Sequence, residues 1–266
     1  MQITAQSVWE DVQQIRTSSP LIHNITNYVV MELTANGLLA IGASPVMAHA
    51  PEEVQEMTAM ANSLVLNIGT LSGRWVESMK LALRAANALN IPVIFDPVGV
   101  GATTYRTNTA KVLLQHGKLA AIRGNASEIT ALSGEESKTK GVDSAFDTKE
   151  CFNQAKRLAL QQNATIWMSG KTDFVTDGHR VALIENGDSL MAAVTGMGCL
   201  ATAVSAAFLA VNPDPFLGCA HAAVAMGVAG EMSRESANGP SSFKTVFIDH
   251  LHNLALCEIE RRIRVQ

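Results

Sequence analysis

Short apolar, β-branched runs, most of them closing on glycine or asparagine, recur along this chain: "SPVM", "SLVLNIG", "IPVIFDPVG", "LAAIRGN" and "ATIWMSG". Runs of that length bounded by turn residues predict buried strands. Between them lie longer stretches in which apolar residues repeat three and four apart, as in "RWVESMKLALRAANALN" and "TKECFNQAKRLALQQN". That spacing predicts helices with one buried face. Strand and helix alternating in this way imply an α/β fold with a mainly parallel sheet and helices on both faces. After Gly170 the rhythm changes, because "DFVTDG" and "RVALIENG" are two short strands around the turn-forming pair Asp177-Gly178. They predict an appended antiparallel hairpin. From Cys199 onward the pattern is helical almost to the end, broken at "VNPDP" and at "NGPSSF". No repeat, low-complexity tract or linker interrupts it, so residues 1–266 are expected to form one domain.

In an open parallel sheet, ligands gather where strands end and helices begin. The segments to inspect are therefore 47–49, 67–70, 96–99, 123–125, 169–171 and 195–199. "SGKT" at 169–172 resembles the end of a P-loop, but residue 165 is Thr165 where the first glycine is required, and strand rather than helix follows. "GVGATT" from Gly99 breaks the dinucleotide fingerprint at Thr104. "GMGCLA" from Gly196 satisfies G-x-G-x-x-A and opens a helix, yet the acidic strand end expected about 20 residues later is replaced by the uncharged helical "FLGCAHAAVAMG". What remains is a glycine-rich helix start, "VTGMGC" at 194–199. Its free N–H groups and the positive end of the helix dipole suit an anion.

Charge and cysteine content narrow the partners. A net charge of -4 with no basic block lacks the footprint of a nucleic-acid or anionic-membrane binder, so a small molecule is expected. The first residues, "MQITAQSVWEDVQQIR", have no basic segment followed by an apolar core, and no signal peptide is expected. Runs such as "CLATAVSAAFLAV" fall short of the roughly 18 residues that a bilayer span requires and read as buried helix. The four cysteines are widely spaced without any C-x-x-C pair, which fits reduced thiols in a cytoplasm. His250 and His252, two apart on a helix, point away from each other and make a poor metal site.

"VTGMGC" resembles the anion-hole motif of the ribokinase-like kinases, where a glycine-rich turn opens a helix against the transferred phosphoryl group. Most of those families carry aspartate at the position of Cys199, whereas the thiazole kinases carry cysteine. "TNYVVMELTANGLLAIGASPVM", "NIGTL", "FDPVGVGAT", "IRGNASEI" and "VTDG" are likewise similar to the 4-methyl-5-(β-hydroxyethyl)thiazole kinases, from about residue 10 to 262. The resemblance implies ATP-dependent phosphorylation of the thiazole alcohol that feeds thiamine synthesis, with magnesium. It also implies a cytoplasmic homotrimer with active sites at subunit contacts. It places Met47 and Gly196 on the thiazole, Arg123, Ser169 and Gly198 on the nucleotide, Asp96 and Glu128 on magnesium through water, and Cys199 as catalytic base. Ser169 stands where relatives often have threonine, and it keeps the hydroxyl. Met197 stands where threonine or alanine is common.

The residues also have readings of their own. Ionising a free thiol at pH 7 costs about 2 kcal/mol, and a helix N-terminus typically returns only about 0.3–1 kcal/mol, so Cys199 is an imperfect base. Phosphoryl transfer tolerates this, because positioning and charge neutralisation carry most of the catalysis. Asp96, ahead of Pro97, is a hard oxygen ligand or a turn aspartate. Glu128 completes the capping box "NASE" or serves magnesium. Arg123 presents a planar fork for phosphate oxygens or is a surface arginine. Asn24 and Asn27 in "HNITNYVV" read as the start of an early helix, capping it or bonding a substrate. Met47 is a soft apolar wall or a core residue. Three other functions compete: a kinase for a hydroxymethylpyrimidine, disfavoured by Met47 and Cys199; a regulatory nucleotide-binding protein, disfavoured by Asp96, Glu128 and Arg123; and a cysteine hydrolase, for which no histidine is placed to activate Cys199.

Overall fold

The apolar runs become strands, and the stretches with helical spacing become helices, in the computed structural model, which describes residues 2–134 and 145–266. The chain begins with α1 (Ala5–Ser18), β1 (Leu21–Ile25), α2 (Met31–Ile41), β2 (Ser44–Val46), α3 (Val54–Met60) and β3 (Ser63–Asn67). It continues through α4 (Gly73–Ala88), β4 (Val93–Asp96), α5 (Thr104–His116), β5 (Ala121–Asn125), α6 (Ala126–Leu132) and α7 (Ala145–Gln162). The last part holds β6 (Thr165–Ser169), β7 (Asp173–Thr176), β8 (Val181–Ile184), a 3-10 turn at Ser189–Ala193, α8 (Met197–Val211), α9 (Pro215–Ser236), α10 (Pro240–His252) and α11 (Leu256–Arg262).

The eight strands form one sheet in the order β2-β1-β3-β4-β5-β6-β7-β8. β1 to β6 run parallel, and β7 and β8 turn back antiparallel, as the hairpin pattern predicts. The hairpin turns on Asp177, whose Oδ1 accepts from the His179 and Arg180 amides, and on Gly178 at φ 93°. Successive strand residues face opposite sides of the sheet. Val65, Ile94, Ala121 and Trp167 pack beneath α1, α2 and α8–α11, while Leu64, Leu66, Phe95, Ile122 and Ile166 pack beneath α3–α7. Both faces are therefore dry, which is why these strands read as continuous apolar runs rather than as alternation.

Two readings of the sequence are corrected. Asn24 lies inside β1, and Asn27 lies in the loop after it; α2 starts only at Met31, with Val30 as its cap residue and no side-chain cap. Neither asparagine caps a helix. The strand was hidden because "LIHNI" buries polar side chains whose partners are distant in sequence: His23 meets Thr58 Oγ1 at 3.0 Å and the Ala48 carbonyl at 2.7 Å. Among the described residues one helix, α9, is long and apolar enough to cross a membrane, which the sequence runs did not suggest. Its apolar window is 94% buried by the rest of the fold, so it is a core helix. The dinucleotide reading of Gly196 also falls, because α8 leads into α9 and no strand follows to complete a βαβ unit.

Candidate active site

The pleat that buries Val65, Ile94, Ala121 and Trp167 against α8 and α9 also aims the residues two places further on toward the same face. Those residues are Asn67, Asp96, Arg123 and Ser169, each near the carboxyl end of its strand. Asn67 sits opposite Asp96 in the β3–β4 pairing, Arg123 opposite Trp167, and Asn125 opposite Ser169. The order of the strands sets out the site in a line. Met47 follows edge strand β2, Asn27 follows β1, Asn67 and Asp96 occupy the middle, and Arg123 and Ser169 lie beyond them.

Above the middle of that line stands the head of α8. Gly196 precedes the helix at φ 89°, a conformation that favours glycine, and a Cβ there would come within 2.7 Å of Val30 Cγ1. No side chain caps α8, and among the described residues no carbonyl accepts from the Gly198 or Cys199 amide. These are the unpaired donors that make helix starts bind anions. Arg123 converges on the same spot, with Nη1 3.3 Å from the position that a Gly198 Cβ would take. Its guanidinium lies over the Trp167 ring at 4.7 Å, and among the described residues its buried Nε has no protein partner. Arg123 is only 8% exposed, which rules out the surface-arginine reading. The Ser169 hydroxyl donates to the Gly124 carbonyl at 3.4 Å on the far side of Arg123.

Beneath the helix lies a polar network. Asp96 Oδ2 accepts from Asn67 Nδ2 at 2.9 Å and from Thr202 Oγ1, one turn into α8, at 2.8 Å. Burial pushes the Asp96 carboxyl up to about 6, against the charge of Arg123 and the Thr202 hydrogen bond, while the Glu128 carboxylate raises it further. Cys199 Sγ accepts from Asn27 Nδ2 at 3.5 Å. Burial and then the Asp96 charge push its thiol up to about 11, against the lowering by the Asn67 and Asn27 side chains and the Arg123 charge.

Glu128 does cap α6. Its Oε2 accepts from the Asn125 amide at 2.9 Å, while its own amide donates to Asn125 Oδ1 at 3.0 Å; its Oε1 reaches across to the Gly99 amide at 2.8 Å. Among the described residues no group of three or more His, Cys, Asp or Glu forms a closed metal cage. Magnesium needs none, since it keeps its waters and leans on one or two carboxylates and on phosphate oxygens. Two neighbouring carboxylates, with Glu128 raising the pKa of Asp96, are a donor set of that kind, and the residues fit the ion.

Sequence reading missed four participants. Asn67 and Thr202 hold Asp96. Asp173, whose carboxyl is also raised by burial, accepts from the Gly170 amide at 2.9 Å near Arg123. Arg106, from α5, donates to the Ile68, Val98 and Gly69 carbonyls, each at 2.7 Å, and so ties together the loops after β3 and β4. Arg106→Ala removes all three bonds. It is expected to lower stability by about 2–3 kcal/mol in urea denaturation at unchanged m-value. An undisturbed midpoint would show that the loops hold themselves. A cleft of about 390 Å³ lined by Tyr28, His49, Ala50, Ser72, Arg74 and Trp75 opens beside the site, over the loops after β1 to β3, and includes neither Asp96 nor Cys199.

Comparison with known proteins adds names to this geometry. Residues 12–256 match the Hydroxyethylthiazole kinase family. The chain is 51% identical to the hydroxyethylthiazole kinase of Desulfotalea psychrophila over 97% of its own length and 94% of the relative's. Its fold superposes on the hydroxyethylthiazole kinase protein from Pyrococcus horikoshii with a TM-score of 0.91 at 40% identity, covering 98% of each chain. A ribokinase-like superfamily protein from Enterococcus faecalis shares the fold alone, at a TM-score of 0.66 and 12% identity over 96% of each chain.

Proposed function

The chain belongs to the hydroxyethylthiazole kinase family and phosphorylates the thiazole alcohol of thiamine salvage, and from that premise we propose that the phosphoryl group changes hands at the head of α8. One observation carries this reading: the Gly198 and Cys199 amides, which among the described residues have no protein acceptor, lie beside the buried Arg123 guanidinium, whose Nη1 comes within 3.3 Å of where a Gly198 Cβ would sit. Donors fixed in advance around developing negative charge are the main source of catalysis in phosphoryl transfer.

The reading sets the two substrates along the strand order. The thiazole alcohol lies on the β2–β1 side, against Met47 and Gly196, and ATP lies on the β5–β6 side, with its phosphates on Arg123 and Gly198 and its remaining polar groups near Ser169. The alcohol oxygen attacks the γ-phosphorus, the bond from that phosphorus to the bridging oxygen breaks, and ADP leaves on the Arg123 side. The alcohol proton passes to the thiolate form of Cys199 Sγ as the new bond forms. Asp96 and Glu128 would hold magnesium through water, and the ion would supply charge neutralisation on the phosphates. With its pKa pushed up to about 11 the thiol is almost wholly protonated at neutral pH, so only its small thiolate fraction can take the alcohol proton and Cys199 contributes modestly as a base.

Cys199→Ala is therefore expected to lower kcat by no more than about 100-fold, the low end of general-base effects, and Cys199→Asp to remain active. Steady-state kinetics with intact ATP binding check this. A loss near 10⁵-fold would exceed what proton abstraction supplies and would make the thiol indispensable.

The reading extends to a homotrimer with interfacial sites. Tyr28 and Val29, in the loop that carries Asn27, are 63% and 66% exposed, an apolar surface beside the site suited to a second subunit. It extends also to one kinase domain over 1–266, of which 135–144 lies outside the described residues, and to a cytoplasmic location, where the four free thiols stay reduced. A coupled ADP-release assay with the thiazole alcohol, the hydroxymethylpyrimidine alcohol and no acceptor tests the function. Release dependent on the thiazole alcohol is expected; release that ignores the acceptor would contradict it.

A further inference from the structure

The geometry points to Asn67 as a positioning residue for the transfer site, one that fixes which oxygen of Asp96 is offered to the phosphate and its metal. This rests on the reading of Asp96 given above. Asn67 ends β3, is fully buried, and makes three side-chain hydrogen bonds. Its Oδ1 accepts from the Gly69 amide at 2.9 Å and from Asn27 Nδ2 at 2.8 Å; its Nδ2 donates to Asp96 Oδ2 at 2.9 Å. Because two donors converge on its oxygen, the amide cannot be flipped, and its N–H must face the carboxylate. Thr202 Oγ1 donates to the same Asp96 oxygen. Among the described residues no donor reaches Oδ1. With both protein donors on Oδ2, the carboxylate has one orientation, and Oδ1 is the oxygen left for a cation, water or proton.

The same chain of bonds reaches the thiol. Asn27 Nδ2, which anchors Asn67, also lies 3.5 Å from Cys199 Sγ. Asn27 and Asn67 thus connect the acceptor end of the site, on α8, to the metal end, on β4. A purely structural role is poorly served by this arrangement. β3 and β4 are already joined by their backbone ladder, which continues past Asn67 in the bond from the Ile68 amide to the Asp96 carbonyl at 3.2 Å. A buried asparagine there adds polarity that a packed apolar residue would avoid, and a polar group that holds a metal-facing carboxylate is a common reason to keep it.

The test uses the full chain. Asn67→Asp keeps size and the acceptor for Gly69 and Asn27, but it removes the donor and sets a second carboxylate against Asp96; Asn67→Ala removes the side chain. Two readouts are taken: thermal stabilisation by ADP as magnesium is titrated, and kcat with KM for each substrate. Asn67→Asp is expected to raise the half-saturating magnesium concentration by about 10–100-fold and lower kcat to a similar degree, with KM for the thiazole alcohol moved far less. In an Asp96→Asn background, Asn67→Ala should add no further magnesium shift, since both changes act on one carboxylate. Should Asn67→Asp not fold, Asn67→Ala in the wild-type background carries the same expectation. A lower melting temperature with unchanged magnesium dependence would overturn the positioning role. If Asp96→Asn alone leaves magnesium dependence and turnover intact, the reading of Asp96 is what fails; if Asp96→Asn impairs both and Asn67→Asp impairs neither, only the role of Asn67 fails.

Discussion

Asp96→Asn yields a protein that turns over at least about 100-fold more slowly yet resists unfolding better than the wild type. The two effects share one cause. The carboxylate is buried where its charge is disfavoured, and its pKa is pushed up to about 6 from an ordinary 3.8. A carboxyl with a raised pKa binds its proton more tightly in the folded state than in the unfolded one. Stability therefore falls as pH rises from near 4 to near 6 and stays low above that. Asparagine keeps an oxygen for Asn67 and Thr202 to donate to and carries no charge. In metal-free protein it should recover about 2–3 kcal/mol at pH 8 and about half of that at pH 5. Urea denaturation at the two pH values, beside steady-state kinetics, reads both effects. A variant no more stable than wild type at pH 8, or a gain equal at both pH values, would mean that the charge of Asp96 is already compensated without metal. Such strain at a working site is a recurring trade of stability for activity.

Arg123→Ala is expected to lower kcat/KM by about 10²–10³-fold, the scale seen when one donor to developing charge is removed. Arg123→Lys should not restore it. The guanidinium lies over the Trp167 ring with Nη1 beside Gly198, and a lysine ammonium offers neither a planar group for the ring nor paired donors. Loss of the Arg123 charge should also raise the Asp96 carboxyl further, because that charge is the largest influence opposing burial there. Kinetics of both variants with ATP varied at saturating thiazole alcohol check this. Wild-type rates in Arg123→Lys would reduce Arg123 to a generic positive charge.

Much of this was legible in the chain because the fold signals its site through punctuation. Asp96 closes a strand ahead of proline, Asn125 and Glu128 open a helix as a capping box, and Gly196 and Gly198 open another, so local pattern alone located them. Strand β1 was not legible. His23 and Asn24 break its apolar run, and what makes them tolerable inside a sheet is contact with Ala48, Thr58 and the Ile22 carbonyl. Misreading that strand turned Asn27 into a helix cap, when it is a donor to Asn67 and Cys199. Thr202 was invisible for a related reason. One threonine in an alanine-rich helix carries no signal until the helix is laid across β4. Asn67 was within reach, because counting two residues on from buried Val65 places it on the face that carries Asp96.

The central claim is that negative charge gathers at the bare amides of α8 beneath Arg123. Its most direct test is a crystal structure of the full chain with ADP, magnesium, the thiazole alcohol and aluminium fluoride as a mimic of the phosphoryl in transit. The fluoride should sit within hydrogen-bond distance of the Gly198 and Cys199 N–H groups and of the Arg123 guanidinium, between the alcohol oxygen and ADP. A fluoride bound away from the head of that helix, with both substrates ordered, would contradict the account.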